Sequence, residues 1–133
     1  MFDQLLKYAD LPARAGLSAI FILSGVSKIG AFAQTQGYME AFGLPGVLLG
    51  PTIAFEIGAG AALLLGLGAR YTALLLAGFS LVTAVVFHRD FADQIQQIMF
   101  LKNVAISGGL LLLAKTGAPG FSFDALRATR EVA

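Results

Sequence analysis

Four long apolar runs divide the chain, and short polar segments separate them. A helix needs about 20 predominantly apolar residues to cross the hydrocarbon core of a bilayer. The runs that approach or exceed this length are residues 11–29, 46–67, 70–88 and 98–116. Glycine and proline mark the boundaries, as Gly43 and Pro45 do before the second run. The pattern predicts an all-α membrane protein, a bundle of four transmembrane helices that forms one domain over residues 1–133.

Two of the polar segments have features of short helices at the membrane interface. Residues 30–44 place aromatic side chains among glutamine and glutamate, and aromatic rings are enriched at the level of the lipid headgroups. Residues 88–97 are too polar to span, but Phe91, Ile95 and Ile98 follow a helical spacing. We therefore expect interfacial helices between spans one and two and between spans three and four.

One face of the first span is polar or small. Its members, three or four positions apart, are Arg14, Ser18, Phe21, Gly25 and Lys28. Small and polar residues favour contacts between helices in membranes, so this face should point into the bundle. Leu17, Ile20 and Leu23 are then expected to face lipid.

The composition supports a membrane location and excludes several kinds of chemistry. Only 13% of the residues are charged, whereas soluble domains average about 25%. A net charge of +1 gives no reason to expect nucleic acid as a partner. Without cysteine the chain carries no thiolate metal site or iron–sulfur cluster, and its single histidine cannot supply both ligands of a bis-histidine haem. We predict no metal site and no encoded cofactor.

The distribution of basic residues predicts the orientation. Four spans place both termini on one side of the membrane, and cytoplasmic segments are rich in lysine and arginine. The terminal side holds Lys7, Arg14, Arg70, Lys115, Arg127 and Arg130. The opposite side holds Lys28, Arg89 and Lys102. Both termini are therefore expected in the cytoplasm.

The second span contains one carboxylate, Glu56, in an otherwise apolar or small sequence. If this helix enters the bilayer near Pro45, a rise of about 1.5 Å per residue places Glu56 roughly 16 Å deep. An ionised group there costs from ~3 to more than ~10 kcal/mol. Glu56 is therefore expected to pair with a cation, to face a wet cavity or to stay protonated. The simplest alternative is a neutral glutamate that hydrogen-bonds between helices.

The predicted topology brings other polar residues into the same half of the bundle. Lys28 ends the first span, His88 ends the third, and Lys102 and Asn103 begin the fourth. With Glu56 they form a candidate site for ligand binding or proton handling, in which either lysine could pair with the carboxylate. Each also has a structural explanation, since lysines can snorkel to headgroups, the histidine can end a helix and the asparagine can join helices.

Three further residues are assigned to packing or topology: Arg14, Gly25 and Arg70. Arg14 and Arg70 lie at the predicted cytoplasmic end, where basic residues anchor the orientation, although Arg14 shares the inward face. The sequence assigns no catalytic residue.

Several segments, in this order and spacing, resemble the DoxX family of small bacterial membrane proteins. They are RAGLSAIFILSGVSKI, AFEIGAGAALLLGLGAR, the VFH that ends the third span, and MFLKNVAISGGLLLLAKTGAPGFSFD. The resemblance covers about residues 12–126 and implies a multi-pass protein of the bacterial inner membrane. The positions that match the family pattern are Arg14, Gly25, Lys28, Glu56, His88, Lys102 and Asn103.

The resemblance also implies a redox association. The family's namesake is similar to a subunit of an archaeal thiosulfate:quinone oxidoreductase, and some members are implicated in membrane redox complexes that handle thiol stress. This sequence departs from the thiol-active members because it has no cysteine.

Three functions follow from these features. The first is a membrane subunit associated with an oxidoreductase or quinone-linked complex, which binds a small lipid-soluble molecule, with quinone as the candidate cofactor and electrons supplied by a partner protein. The second is a small-molecule transporter or lipid-binding module, which with only four helices would need to form a homo-oligomer. The third is a structural partner without chemistry, held together by small residues that allow close helix packing.

Overall fold

The structure is a computed structural model that describes residues 1–132, apart from the side chain of residue 7. Its helices are α1 (Phe2–Lys7), α2 (Asp10–Gly30), α3 (Phe32–Ala41), α4 (Leu49–Leu65), α5 (Ala69–Phe87), α6 (Gln94–Thr116) and α7 (Phe123–Val132). A 3₁₀ turn, Gly46–Leu48, leads directly into α4. Among the described residues, four helical segments, built on α2, α4, α5 and α6, are long and apolar enough to cross a membrane. The predicted four-helix membrane fold is confirmed.

The ends of the spanning helices follow from local chemistry. Gly66 after α4 and Gly117 after α6 have positive φ angles of 70° and 73°, a conformation that residues with a side chain rarely adopt. At its start, α6 is capped by Asp93, whose carboxylate accepts a hydrogen bond from the backbone N of Ile95 at 3.0 Å.

The segments between the spans match the expectation on one side and differ on the other. α3 is the helix expected between spans one and two. Between α5 and α6, residues 88–93 form a turn-rich segment, and the separate helix expected there is absent from this described segment. Because the Asp93 cap starts a helix at Gln94, Ile95 and Ile98 lie in the first turns of α6, and the fourth span begins earlier than predicted.

The four spanning helices form two closely packed pairs, α2 with α4 and α5 with α6. Glycines bring the first pair together: a Cβ at Gly25 would lie 2.6 Å from Ile57 Cγ1, and one at Gly60 would lie 2.9 Å from Ile22 Cγ1. Contacts between α4 and α5 join the pairs, whereas α2 and α6 make few contacts. The bundle is therefore tight within each pair and loose between α2 and α6.

The main apolar core lies among α2, α4, α5 and α6. Its buried members are Phe21, Leu63, Ala73, Leu76, Ala77, Leu110 and Leu113. Leu23 is exposed as expected, but the expectation that Leu17 and Ile20 face lipid is wrong, because both pack against this core. The reason is that α6 approaches this side of α2, with Leu17 Cδ2 only 3.5 Å from the position of a Cβ at Gly109.

Arg14 closes the end of the bundle opposite Lys28, called the Arg14 end below. Its fully buried side chain pairs with Asp10 at 3.1 Å. The guanidinium also donates to the carbonyls of Leu63 and Leu64, in the last turn of α4, and to that of Phe121. A buried cation is tolerated when it is paired and hydrogen-bonded in this way. Arg14 is thus a packing residue that ties α2 to α4 and to the segment after α6.

A second link at the Arg14 end joins the start of α7 to the turn between α4 and α5. The two carboxylate oxygens of Asp124 accept hydrogen bonds from the backbone N of Gly68 and of Ala69, both at 2.8 Å. The backbone N of Asp124 donates to the Gly66 carbonyl at 2.9 Å. Asp124 therefore caps α5 from a distant part of the chain.

Candidate functional site

The buried carboxylate of α4 forms an ion pair with the lysine near the end of α2. Lys28 Nζ lies 2.8 Å from Glu56 Oε1 and 2.7 Å from Oε2, and it also donates to Ser24 Oγ at 2.7 Å. The Glu56 side chain is 4% exposed and that of Lys28 25%. A Cβ at Gly25 would lie 3.4 Å from Glu56 Cβ, so this glycine lets the two backbones approach. Of the two candidate lysines, Lys28 is the partner of Glu56.

This ion pair forms part of the wall of a cavity of about 990 Å³. Residues of α2, α3, α4, α5 and α6 line it. All five residues of the predicted constellation are among them: Lys28, Glu56, His88, Lys102 and Asn103. Sites for small molecules typically measure about 300–1,000 Å³. The side chains that the sequence singled out therefore surround one space of ligand size.

The polar residues that α5 and α6 contribute to the cavity differ in the hydrogen bonds they make. Asn103 Nδ2 donates to Thr83 Oγ1 at 3.1 Å, which joins α6 to α5. His88 Nδ1 lies 2.9 Å from Gln96 Oε1. Lys102 is exposed, and its ammonium makes no hydrogen bond or ion pair with any other described side chain. Lys102 is therefore a cation of the lining whose ammonium is not bonded to another described side chain.

The sequence did not place α3 in the site. Tyr38 of α3 stacks on Phe87 of α5, with ring centroids 5.5 Å apart and an interplanar angle of 19°. Phe42 lies 4.9 Å from the Tyr38 ring and 5.2 Å from the Phe87 ring. These three rings hold α3 beside the cavity, whose lining includes Thr35 and Met39. The four-residue spacing of Tyr38 and Phe42 in the sequence could have indicated this contact, because it puts both rings on one helix face.

The residues assigned to packing or topology lie outside the cavity lining. Arg14 is buried at the opposite end, and Gly25 lies in the contact between α2 and α4. Arg70 is exposed, with Nε 3.0 Å from the position of a Cβ at Gly117. No group of three or more histidine and acidic side chains within the described residues is placed to hold a metal ion.

The fixed charges of the cavity do not balance. Lys28 and Glu56 neutralise one another at contact distance, and the hydrogen bond to Ser24 further offsets the cost of removing the ammonium from water. Lys102 adds one positive charge to the lining. The cavity therefore favours a group that is anionic or rich in hydrogen-bond acceptors.

Four spanning helices around such a cavity define a polytopic membrane protein with a ligand-sized internal site. The DoxX family model matches residues 9–89. The chain is 49% identical over 116 residues to inner membrane protein YqjF of Escherichia coli (strain K12), which covers 87% of this chain and 89% of that protein. It is 37% identical over 121 residues to inner membrane protein YphA of the same organism, covering 86% of each.

The chain therefore belongs to the DoxX family and is an inner-membrane protein. No solved structure matches it.

Proposed function

We propose that the protein is a membrane subunit associated with an oxidoreductase or quinone-linked redox complex, and that its cavity binds a small lipid-soluble molecule. The observation that carries this proposal is the buried Lys28–Glu56 pair in the wall of a ligand-sized cavity. Ionised side chains within a membrane span are costly, and they commonly mark ligand or proton pathways. A pair that served packing alone could be replaced by apolar residues of similar volume, often without loss of stability.

A quinone fits the groups that line this space. The walls are largely apolar and include the rings of Phe79 and Phe87, and the lining also carries the charged side chains of Lys28, Glu56 and Lys102. Lys102 is a donor suited to a carbonyl oxygen, and Glu56 beside Lys28 is suited to exchange a proton with it. A bound quinone supplies two-electron, two-proton redox chemistry.

The electrons for this chemistry come from a partner protein under the proposal. The 133 residues contain no cysteine and one histidine, so they provide no ligand set for an iron–sulfur cluster or a bis-histidine haem. We also propose that both termini are cytoplasmic, which puts the cavity in the outer half of the membrane. The excess of lysine and arginine at the Arg14 end supports this orientation.

Tryptophan fluorescence tests the binding directly, because the chain contains no tryptophan. Tyr38→Trp places a reporter in the cavity lining. Tyr71→Trp, at a 78% exposed position at the start of α5 near the Arg14 end, is the matched control. With the protein in lipid nanodiscs, a short-chain quinone should quench the Tyr38→Trp emission saturably, and the control only in proportion to the quinone dissolved in the bilayer. Equal, unsaturable quenching of both reporters would refute the proposal.

The loose contact between α2 and α6 favours a second candidate, a lipid-binding module. A cavity next to such a gap is accessible to bilayer lipids without a path through water. Displacement of quinone from the Tyr38→Trp reporter by a phospholipid, at concentrations that leave the Tyr71→Trp control unchanged, would favour this candidate. Substrate flux in proteoliposomes would identify a transporter instead.

A further inference from the structure

The cavity is longer on one wall than on the other. Along α2 its lining extends from Gly16 to Lys28, about 18 Å at a helical rise of about 1.5 Å per residue. Along α6 it extends only from Met99 to Ile106, about 10 Å. The cavity is therefore wide near Lys28 and continues toward the Arg14 end as a slot beside α2.

The slot is apolar and reaches the lipid-facing surface. Its lining consists of Gly16, Ala19, Ile20, Leu23, Phe79 and Ile106. Gly16, Ala19 and Leu23 are exposed, and no atom of a neighbouring helix lies within 4 Å of the position of a Cβ at Gly16. Because α2 and α6 make few contacts, a hydrocarbon chain can reach the slot from the bilayer.

The wide end holds the charged groups of the cavity. Lys28 and Glu56 are bonded to each other, and one ring nitrogen of His88 is bonded to Gln96. Because the amide oxygen of Gln96 can only accept, His88 Nδ1 carries the proton, and the second nitrogen of the neutral ring is an acceptor. The ammonium of Lys102 is the charged donor of this lining that no other described side chain binds. The chemistry of the lining thus changes along its length, from donors and positive charge to hydrocarbon.

From this gradient we propose that the cavity binds an amphiphile lengthwise. Its head, anionic or with carbonyl acceptors, lies against Lys102, and its hydrocarbon tail lies in the slot between α2 and α6. This inference rests on the proposed function and narrows its ligand class. An isoprenoid quinone and a fatty acyl lipid share this head-and-tail chemistry, whereas a small water-soluble solute has no tail to occupy the slot.

The tail is tested by closing the slot. Ala19→Phe fills it, and Ala54→Phe is the matched control, at an exposed position of α4 outside the cavity lining. The probes are a benzoquinone with a two-unit isoprenoid tail and the same benzoquinone with a methyl group in its place, each titrated against the Tyr38→Trp reporter. Ala19→Phe should weaken binding of the tailed probe about tenfold or more, since burial of several methylene groups is lost. The methyl probe and the control variant should be unaffected.

The head is tested by removing the free charge. Lys102→Gln should weaken both probes by a similar factor, about tenfold, because a charge-assisted hydrogen bond is lost from each. Lys115→Gln, an exposed lysine near the far end of α6, should change neither. A fatty acid that displaces the tailed quinone would show that the cavity prefers a carboxylate head. A fatty acid that does not displace it would show that the cavity prefers a quinone head.

Three results would overturn the inference. If Ala19→Phe leaves the tailed probe unchanged while both probes bind the wild-type cavity, the slot holds no tail, and the proposed function survives. If neither probe binds the wild type, both the inference and the quinone proposal fail. If Ala19→Phe does not fold, Gly16→Leu closes the same slot, and an unchanged affinity for the tailed probe in that variant is equally decisive.

Discussion

Both carboxylate oxygens of Glu56 lie within 2.8 Å of Lys28 Nζ, although the two residues are 28 positions apart in the chain. Glu56→Gln removes one member of this pair and leaves a lysine without its counter-charge in an apolar wall. Breaking a buried pair typically costs ~3–5 kcal/mol. Lys28→Met combined with Glu56→Gln should recover much of that loss in the free energy of unfolding, measured by denaturation in mixed micelles.

The matched control for this pair of substitutions is Lys102→Met combined with Glu56→Gln. Its loss in the free energy of unfolding should equal the sum of the losses of the two single variants. Non-additivity is expected to be largest for residues that bond to each other, and among the described contacts Glu56 bonds to Lys28 and not to Lys102. If the Lys28 combination were additive as well, the ion pair would contribute no coupling energy, and Glu56 would have to be explained as an isolated neutral side chain.

Gly25 lies in the contact between α2 and α4, the two helices that carry the ion pair. A Cβ there would lie 2.6 Å from Ile57 Cγ1, and a β-branched side chain within a helix has little freedom to move away. Gly25→Ala should destabilise the protein by about 1–3 kcal/mol, and adding Ile57→Ala should reverse part of the loss. Thermal unfolding checks both. Gly58→Ala is the control, because its Cβ meets open space, and a loss as large as that of Gly25→Ala would show that helix contact is not the cause.

Arg14 should be among the most sensitive positions of the fold. Arg14→Leu leaves Asp10 without its partner and removes the donors to the carbonyls of Leu63, Leu64 and Phe121. We expect a loss of ~3–5 kcal/mol. Arg14→Lys should restore little, because one ammonium cannot reproduce the planar fork of donors. For comparison, Arg70→Gln at an exposed site should stay within about 0.5 kcal/mol, and similar losses at both sites would show that the buried contacts of Arg14 are not the cause.

The orientation can be tested with single cysteines, since the chain has none of its own. Ala128→Cys in α7 and Gln34→Cys in α3 are both exposed and lie at opposite ends of the bundle. An impermeant maleimide added to intact spheroplasts should label only Gln34→Cys. Labelling of Ala128→Cys alone would invert the proposed topology and put the cavity in the inner half of the membrane.

The sequence predicted the parts of the structure that depend on hydrophobic length and helical spacing. The four spans, the inward face of α2 and the α3 helix all follow from one-dimensional patterns. The convergence of Lys28 and Glu56 also follows from the sequence, because the predicted topology puts both residues in the same half of the bundle. What remained open was which lysine pairs with Glu56, since Lys28 and Lys102 were placed at similar depth.

Other features could not be predicted because their partners are backbone groups or depend on helix separation. Arg14 bonds to carbonyl oxygens of Leu63, Leu64 and Phe121, and any residue type would present those atoms. The packing of Leu17 against the core depends on how closely α6 approaches α2, which apolar periodicity does not specify. The cavity lies beside a pair of helices, α2 and α6, that make few contacts.

The proposed function requires that the space beside Lys28 and Glu56 holds a quinone-like lipid in the membrane. Mass spectrometry of the lipids that copurify with the protein in mild detergent tests this most directly. We predict that the wild type and Lys115→Gln retain a quinone, and that the stabilised double variant with Lys28→Met and Glu56→Gln retains much less. A wild-type preparation without quinone, or equal amounts of quinone in all three proteins, would contradict the account.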